Sequence, residues 1–243
     1  MLISSFRLHP LADLTRLWEA LHGGKVIQQL ADEFERTVKK IITDKREHLL
    51  EGALTLLLAD PSFNDLSDRS ASGLLGSESR QLFLRWSTGH KIVLHAIANL
   101  VAYTERRSLI LFDEPKTHLH PPLLAALMHA VRFVLGKLDA FCVIATHSPV
   151  VLQETMARHV HVVRREGDKI SVNKPTTQTF GENIGIITSE VFGLTSDVTD
   201  YHQNLSNISE HLSNLDEVEA LFDGELSMQA RAYLMGLFAT KKG

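Results

Sequence analysis

Two adjacent carboxylates, Asp113 and Glu114, directly follow the apolar run "SLILF" at residues 108–112. An apolar strand that ends in Asp-Glu suits magnesium-nucleotide chemistry: the first carboxylate holds the metal, and the second orients and polarises the attacking water. The same two residues could instead begin a solvated loop. The pattern makes Asp113 a candidate metal ligand and Glu114 a candidate general base, and it leaves the simpler interpretation open.

A possible phosphate-binding stretch, "WSTGHK", occupies residues 86–91. Ser87, Thr88 and Gly89 stand just ahead of an amphipathic segment, where the free backbone N–H groups and the dipole of a helix favour an anion. Taken alone, the stretch is also an ordinary helix N-cap.

A histidine follows a second apolar run, in "ATHSP" at residues 145–149. A lone histidine at such a point can be purely structural. Because ligands of open parallel sheets bind beyond the carboxyl ends of the strands, however, Asp113, Glu114, Thr146 and His147 could face one crevice.

The elements that must position these side chains can be predicted from hydrophobic periodicity. Residues 26–42 and 91–103 carry apolar positions at helical spacing, whereas 108–112 and 141–146 are continuous apolar runs that predict fully buried strands. A helix that starts at Pro121 lies between the two strands. Strand, helix and strand form a βαβ unit, which predicts a parallel pair with a right-handed crossover.

The whole chain is expected to have an α/β fold, with a mostly parallel sheet flanked by helices. We divide it into a helical region with a long or mobile connection (1–80), a core (81–195) and a helical extension (196–243). The connection is the Ser- and Gly-rich stretch 64–80. Two apolar segments around Gly167 predict a hairpin that continues or flanks the sheet.

Composition restricts the classes of function. A net charge of −4 over 243 residues provides no global basic excess for a nucleic acid backbone, so such binding would need a local patch. The one cysteine, Cys142, excludes an internal disulfide and a Cys-rich zinc site, and we expect an inert core thiol. No run approaches the roughly 20 apolar residues of a membrane span, and no signal pattern opens the chain, so we expect a cytoplasmic protein.

The order of the three polar stretches resembles the second half of an ABC-type ATPase domain, with its signature motif, Walker B motif and switch-histidine loop. Within that superfamily, "STGHKIVL", "DEPKTHLHPPLL", "ATHSPVVLQE" and "FGENIG" look like the ATPases of bacterial anti-phage systems, particularly the Septu-type ATPase that works with an HNH nuclease. The resemblance covers about residues 80–195.

The resemblance implies a role for each matching position. In the signature stretch, the nucleotide would be contacted by Ser87, Thr88, Gly89 and Lys91. In the Walker B motif, Asp113 would be the metal ligand and Glu114 the general base. In the last loop, His147 would sense the γ-phosphate. Ser87 and Gly89 would contact a nucleotide held by another subunit, and residues 116–120 would face the dimer partner. His90 stands where transporters usually have glutamine.

The Walker A pattern G-x-x-x-x-G-K-[ST] occurs nowhere in the chain, and "GLLGSESR" at residues 73–80 does not supply it. The sequence therefore looks like the carboxyl portion of a split, truncated or degenerate ATPase. We expect the first strand of the sheet to be missing and its neighbour to be left as an unpaired edge. His118-x-His120 lacks a third ligand at useful spacing, which favours a loop contact over a metal site.

The expected function is that of an ABC-type ATPase subunit that binds ATP and Mg²⁺ in a composite site. It would act as a homodimer or higher oligomer and regulate a partner nuclease in anti-phage defence, with nucleic acid contacted through the complex and no membrane involved. Hydrolysis would require a Walker A loop from an amino-terminal segment or another chain. The alternative is a regulatory subunit that keeps the dimer interface without hydrolysing ATP.

Overall fold

The computed structural model describes residues 8–10, 24–64, 71–114, 119–193 and 200–241. The chain divides into two compact units. The first unit comprises residues 1–161 and 178–184, and the second comprises residues 162–177 and 185–243.

The first unit is an α/β structure, which confirms the predicted fold class. Its helices and strands follow in the order β1 (Leu8–Pro10), α1 (Gly24–Thr43), α2 (Glu47–Leu57), α3 (Pro61–Asn64), α4 (Ala71–Leu74), α5 (Ser79–Arg85), α6 (Thr88–Tyr103), β2 (Leu109–Asp113), α7 (Pro121–Leu138), β3 (Phe141–Ala145) and α8 (Pro149–Gln153), with a 3-10 turn at Ala157–His159.

The sheet of the first unit has the strand order β1-β2-β3, and both pairings are parallel. Strand β2, helix α7 and strand β3 form the predicted βαβ unit. The expectation of an unpaired neighbour is wrong for β2, because Leu8–Pro10 pairs with Leu109–Leu111. Strand β2 is therefore the central strand of the three.

One face of this sheet is covered and the other is exposed. Ile110 and Phe112 lie in the main core, whereas Leu111, Phe141 and Val143 are 44%, 55% and 56% exposed. The expectation of two fully buried strands is therefore wrong. Alternate residues of a strand point to opposite faces, and the described helices bury only the face that carries Ile110 and Phe112. We call Leu111, Phe141 and Val143 the open face.

The helices build the covered side of the unit. Helix α1 confirms the helix predicted over 26–42, and its buried side chains repeat at helical spacing: Leu30, Phe34, Val38 and Ile41. It packs on α5 and α6, while α7 packs mainly on α2. Helix α7 is long and apolar enough to cross a membrane by composition alone, but half of it is buried inside the unit, as befits a core helix.

The stretch predicted as a connection, residues 64–80, contains helix α4 and the start of α5. Leu74 and Ser79 are buried there, and Leu74 belongs to the main core. Local apolar contacts thus organise residues 71–80, although their composition showed no periodicity. Residues 65–70 of this stretch lie outside the described part of the chain.

Cys142 packs against the main core from the covered face of β3. Burial raises the pKa of its thiol to about 12. Since the thiolate is the reactive form, the predicted inert thiol agrees with this environment.

The second unit contains the predicted hairpin, made of β4 (Val162–Glu166) and β5 (Lys169–Asn173), which pair antiparallel. Within the described residues the hairpin is a separate two-stranded sheet and does not continue the parallel one. The unit also contains α9 (Ile184–Phe192), α10 (Asp200–His211), α11 (Leu215–Ala220) and α12 (Met228–Lys241). A small core joins the last three helices through Leu205, Val218, Ala230, Leu234 and Phe238.

We predict that the two faces of β2 respond differently to truncation. Ile110→Ala should lower the free energy of unfolding by about 2–5 kcal/mol, because it leaves a cavity in the core. Leu111→Ala, one residue away on the open face, should cost less than about 1 kcal/mol. Urea unfolding followed by circular dichroism measures both, and equal losses would contradict a bare sheet face.

We also predict that His95 of α6 makes the free energy of unfolding sensitive to acid. Its imidazole is buried and lies 3.6 Å from the carboxylate of Glu33. Burial lowers the pKa of His95, and the Glu33 charge opposes this only in part. As the pH falls below about 6.5, the unfolded chain takes up a proton at His95 while the folded chain does not, so stability is lost.

The loss at His95 should approach about 1.4 kcal/mol per pH unit until the folded-state pKa is reached. Urea unfolding of the wild type and of His95→Gln, between about pH 5 and pH 8, isolates this slope, since other titrating groups cancel in the difference. Parallel pH profiles for the two proteins would rule out the assignment.

Candidate active site

The side chains that were predicted to share a crevice lie where β2 and β3 end. The two strands are in register, so Asp113 lies opposite Ala145. The Glu114 N–H donates to the Ala145 carbonyl at 2.8 Å and extends the ladder by one bond. Beyond it, His147 Nδ1 lies 2.6 Å from Glu114 Oε1. The structure therefore joins the candidate general base and the candidate γ-phosphate sensor, which are 33 residues apart in sequence.

Glu114 has a left-handed backbone, with φ of 44°. This conformation costs a residue with a Cβ roughly 1–2 kcal/mol, and such strain tends to persist where function requires it. The turn ends the strand abruptly and lets the Glu114 side chain meet His147.

A short turn presents His147. The Ser148 N–H donates to Thr146 Oγ1 at 3.0 Å, and Pro149 opens helix α8 immediately afterwards. The His147 side chain is 66% exposed, whereas the Glu114 side chain is 30% exposed. The imidazole of His147 is therefore accessible to a ligand at the surface, while the less exposed carboxylate of Glu114 fixes the orientation of the ring.

Asp113 is exposed at the last position of β2. Its carboxylate supplies the hard oxygen that Mg²⁺ prefers. No group of three or more His, Cys, Asp or Glu side chains suited to a metal occurs in the part of the chain that the structure describes. Asp113 is therefore a single exposed carboxylate, and its role as a metal ligand stays a prediction.

The signature stretch begins helix α6. Ser87 is the N-cap, exposed to solvent, and Thr88 and Gly89 lie in the first turn. Lys91 is buried in the same turn, and burial lowers its pKa. Ser87 is thus presented at the surface, whereas Lys91 is placed among apolar side chains.

A polar network behind Ser87 was missed by sequence reasoning. Ser87 Oγ lies 2.5 Å from His90 Nδ1, and His90 Nε2 lies 2.9 Å from Ser62 Oγ. Ser62 in turn contacts the buried carboxylate of Asp60. In the sequence, Asp60 and Pro61 indicated only a helix stop, because the spacing gave no sign that this turn meets the start of α6.

His120 is the N-cap of α7, and its Nδ1 accepts from the Leu123 N–H at 3.2 Å. This agrees with the predicted loop contact. His118, Lys116 and the rest of 115–118, within the predicted dimer-facing loop, lie outside the described residues.

Comparison with known proteins fits this geometry. A family described as "AAA domain, putative AbiEii toxin, Type IV TA system" matches residues 20–153, which include Ser87, Asp113, Glu114 and His147. The chain belongs to this AAA domain family. Its role is accordingly that of an ATPase-type, nucleotide-binding domain of the P-loop superfamily.

This AAA domain is also similar to protein ea59 of Escherichia phage lambda. The two are 35% identical over 176 residues, which are 72% of this chain and 34% of ea59. The chain therefore spans about a third of the length of the curated relative it matches.

We predict that the strain at Glu114 can be measured by comparing two substitutions. Glu114→Gly and Glu114→Ala both remove the carboxylate, but only glycine adopts the left-handed backbone without a Cβ penalty. The glycine variant should be more stable than the alanine variant by about 1 kcal/mol. Urea unfolding measures this difference. A more stable alanine variant would show that the left-handed turn is absent in solution.

Proposed function

We propose that this chain forms the carboxyl portion of an ABC-type ATPase site that hydrolyses ATP with Mg²⁺. The observation that carries the proposal is the 2.6 Å contact between Glu114 and His147 at the carboxyl end of a parallel sheet. Glu114, one residue beyond Asp113, would take a proton from water, and His147 would contact the phosphate that leaves.

The contact also defines how His147 would act. A carboxylate only accepts hydrogen bonds, so His147 donates its Nδ1–H to Glu114, and its Nε2 is turned away from the carboxylate. Nε2 would meet the γ-phosphate. Asp113 would hold Mg²⁺, which supplies charge neutralisation on the phosphate oxygens when bound.

The remaining phosphate contacts would come from a P-loop-bearing segment that packs on the open face of the sheet. Two observations support this occupant. Parallel sheets are normally covered on both faces, and Leu111, Phe141 and Val143 leave one face bare. The aligned region also covers only 34% of ea59, so the relative has ample chain beyond it.

Ser87 would act across a subunit boundary. It is exposed at the N-terminus of α6, where free N–H groups and the helix dipole attract a phosphate. We propose that two copies of the chain dimerise around nucleotide, with Ser87 and Gly89 of one copy reaching the ATP held by the other.

We propose that the assembly works in the cytoplasm in anti-phage defence, together with a nuclease resembling that of Septu-type systems. This proposal comes from the resemblance of "DEPKTHLHPPLL" and "ATHSPVVLQE" to the ATPases of such systems, and the family description names a toxin and a type IV TA system. Nucleic acid would be contacted by the complex. A non-hydrolysing regulatory subunit is the second candidate, because the sequence contains no Walker A pattern.

We predict that Glu114→Gln abolishes turnover in an assembly of this chain with a P-loop-bearing polypeptide, because the amide cannot accept the proton of water. ATP binding should remain, since Gln keeps the shape of the side chain. Phosphate release and nucleotide retention measure the two effects. Hydrolysis at the wild-type rate in this variant would refute the general-base assignment.

Two controls accompany this experiment. The isolated chain should show no appreciable hydrolysis, because its sequence contains no Walker A pattern to bind the β- and γ-phosphates. Ser87→Arg should leave the Glu114–His147 pair intact but block ATP-dependent dimerisation, as measured by light scattering. Tight ATP binding without turnover in the wild-type assembly would favour the regulatory alternative.

A further inference from the structure

The network behind Ser87 is anchored by Asp60, whose side chain is 1% exposed. Its Oδ1 accepts from the Ser62 N–H at 2.7 Å and from the Ser62 hydroxyl at 2.5 Å. Because an ionised carboxylate accepts hydrogen bonds and donates none, the Ser62 hydroxyl proton must point at Asp60. Ser62 Oγ can then offer only its lone pairs to other groups.

This polarity fixes the tautomer of His90. Its Nε2 lies 2.9 Å from Ser62 Oγ, so Nε2 must carry the proton and donate it. In a neutral imidazole the other nitrogen is then an acceptor. His90 Nδ1 lies 2.5 Å from Ser87 Oγ, so the Ser87 hydroxyl donates its proton inwards, to His90.

The imidazole has little freedom to escape this arrangement. Phe63 meets the His90 ring edge-on at 4.4 Å between centroids, and the Trp86 ring lies 5.2 Å away. His90 is itself buried. With two aromatic rings packed against it and both nitrogens engaged, a rotated ring would lose two hydrogen bonds.

We infer that His90 is a positioning residue that decides whether Ser87 faces a ligand as a hydrogen-bond donor or as an acceptor. With neutral His90, Ser87 turns its proton inwards and presents lone pairs, which repel an anion. With protonated His90, both ring nitrogens donate, and the Ser87 hydroxyl is released to donate outwards. This inference rests on the proposed function, since it takes the outward ligand to be a nucleotide phosphate.

Phosphate binding at Ser87 should therefore be accompanied by the uptake of one proton from solvent at His90. The resulting imidazolium is balanced by the buried Asp60 carboxylate, which is one hydroxyl away through Ser62. In this step a proton from solvent forms an N–H bond at His90 Nδ1, and the Ser87 hydroxyl exchanges its hydrogen bond to that nitrogen for one to the phosphate.

Among the described residues, two other titratable groups adjoin the network. His120 Nδ1 lies 3.6 Å from Asp60 Oδ2, His120 Nε2 lies 3.5 Å from Ser62 Oγ, and Lys91 follows His90 on α6. His120 Nδ1 accepts the Leu123 N–H, so this nitrogen has no proton to donate to Asp60. Because His120 caps α7, the polarity of Ser87 is also linked to the start of the helix that follows the Asp113 and Glu114 loop.

The tautomer can be tested on the full chain without nucleotide. In protein carrying ¹⁵N-labelled histidine, the Nδ1 and Nε2 chemical shifts of His90, assigned by their loss in His90→Gln, should report protonated Nε2 and bare Nδ1 above about pH 7.5. Ser62→Ala should abolish this preference, whereas Thr55→Ala, a matched loss of a hydroxyl on α2, should not. Protonated Nδ1 and bare Nε2 in the wild type would overturn the inference.

The consequence for the site is tested in the ATP-hydrolysing assembly. His90→Leu should lower kcat about tenfold with little change in KM, because the P-loop-bearing polypeptide supplies most of the ATP affinity. His90→Gln can donate an N–H at any pH. It should restore kcat to within about threefold of the wild type. The kcat of the wild type should fall at the pH where His90 loses its proton, whereas the kcat of the glutamine variant should not.

The outcomes separate the two proposals. An assembly without wild-type hydrolysis refutes the proposed function, while the tautomer measurement still decides the polarity of Ser87. An assembly that hydrolyses ATP equally well with histidine, glutamine or leucine at position 90 refutes the positioning role. Equal losses in the glutamine and leucine variants, in proportion to their lost stability, would also refute it, because they would indicate packing alone.

Discussion

The parallel, in-register pairing of β2 with β3 is the constraint on which the rest of the candidate site depends. It places Asp113 opposite Ala145. Glu114, the residue after Asp113, and His147, two residues after Ala145, therefore come within reach of each other. The left-handed turn at Glu114 and the short turn before α8 then close the distance to His147. Without that register, a one-residue slip would send Glu114 and His147 to opposite faces of the sheet.

The same sheet also has one apolar face that the described residues of this AAA domain leave exposed. Helices α6 and α7 belong to the core that buries Ile110 and Phe112, but the face that carries Leu111, Phe141 and Val143 is exposed. An apolar face of this kind is costly in water and normally meets another layer of structure. No described element covers this face, and the sequence contains no Walker A pattern. The proposed P-loop-bearing segment would supply both.

The network from Asp60 to Ser87 shows how a buried charge can control an exposed hydroxyl. Asp60 accepts the hydroxyl proton of Ser62, Ser62 then accepts the Nε2 proton of His90, and the bare Nδ1 of His90 accepts the hydroxyl proton of Ser87. Each step follows from the donor and acceptor inventory of the side chains, since only the histidine can both gain and lose a proton near neutral pH. The same network contacts His120, at the start of α7, so Ser87 and the segment after β2 are both connected to Asp60.

The sequence by itself determined the α/β class and the βαβ unit, and it predicted that the ends of the two strands lie at the same edge of the sheet. These features follow from hydrophobic periodicity and from the way a strand, a helix and a strand connect, and both can be recognised in residues that are close together in the sequence. The roles of Ser87, Asp113 and Glu114 in catalysis stay predictions. Tertiary structure decided which strand faces are covered, that Leu8–Pro10 pairs with β2, and that Asp60 and Ser62 stand behind Ser87. Burial and hydrogen bonding between residues distant in sequence depend on how helices pack, and no local pattern records that packing.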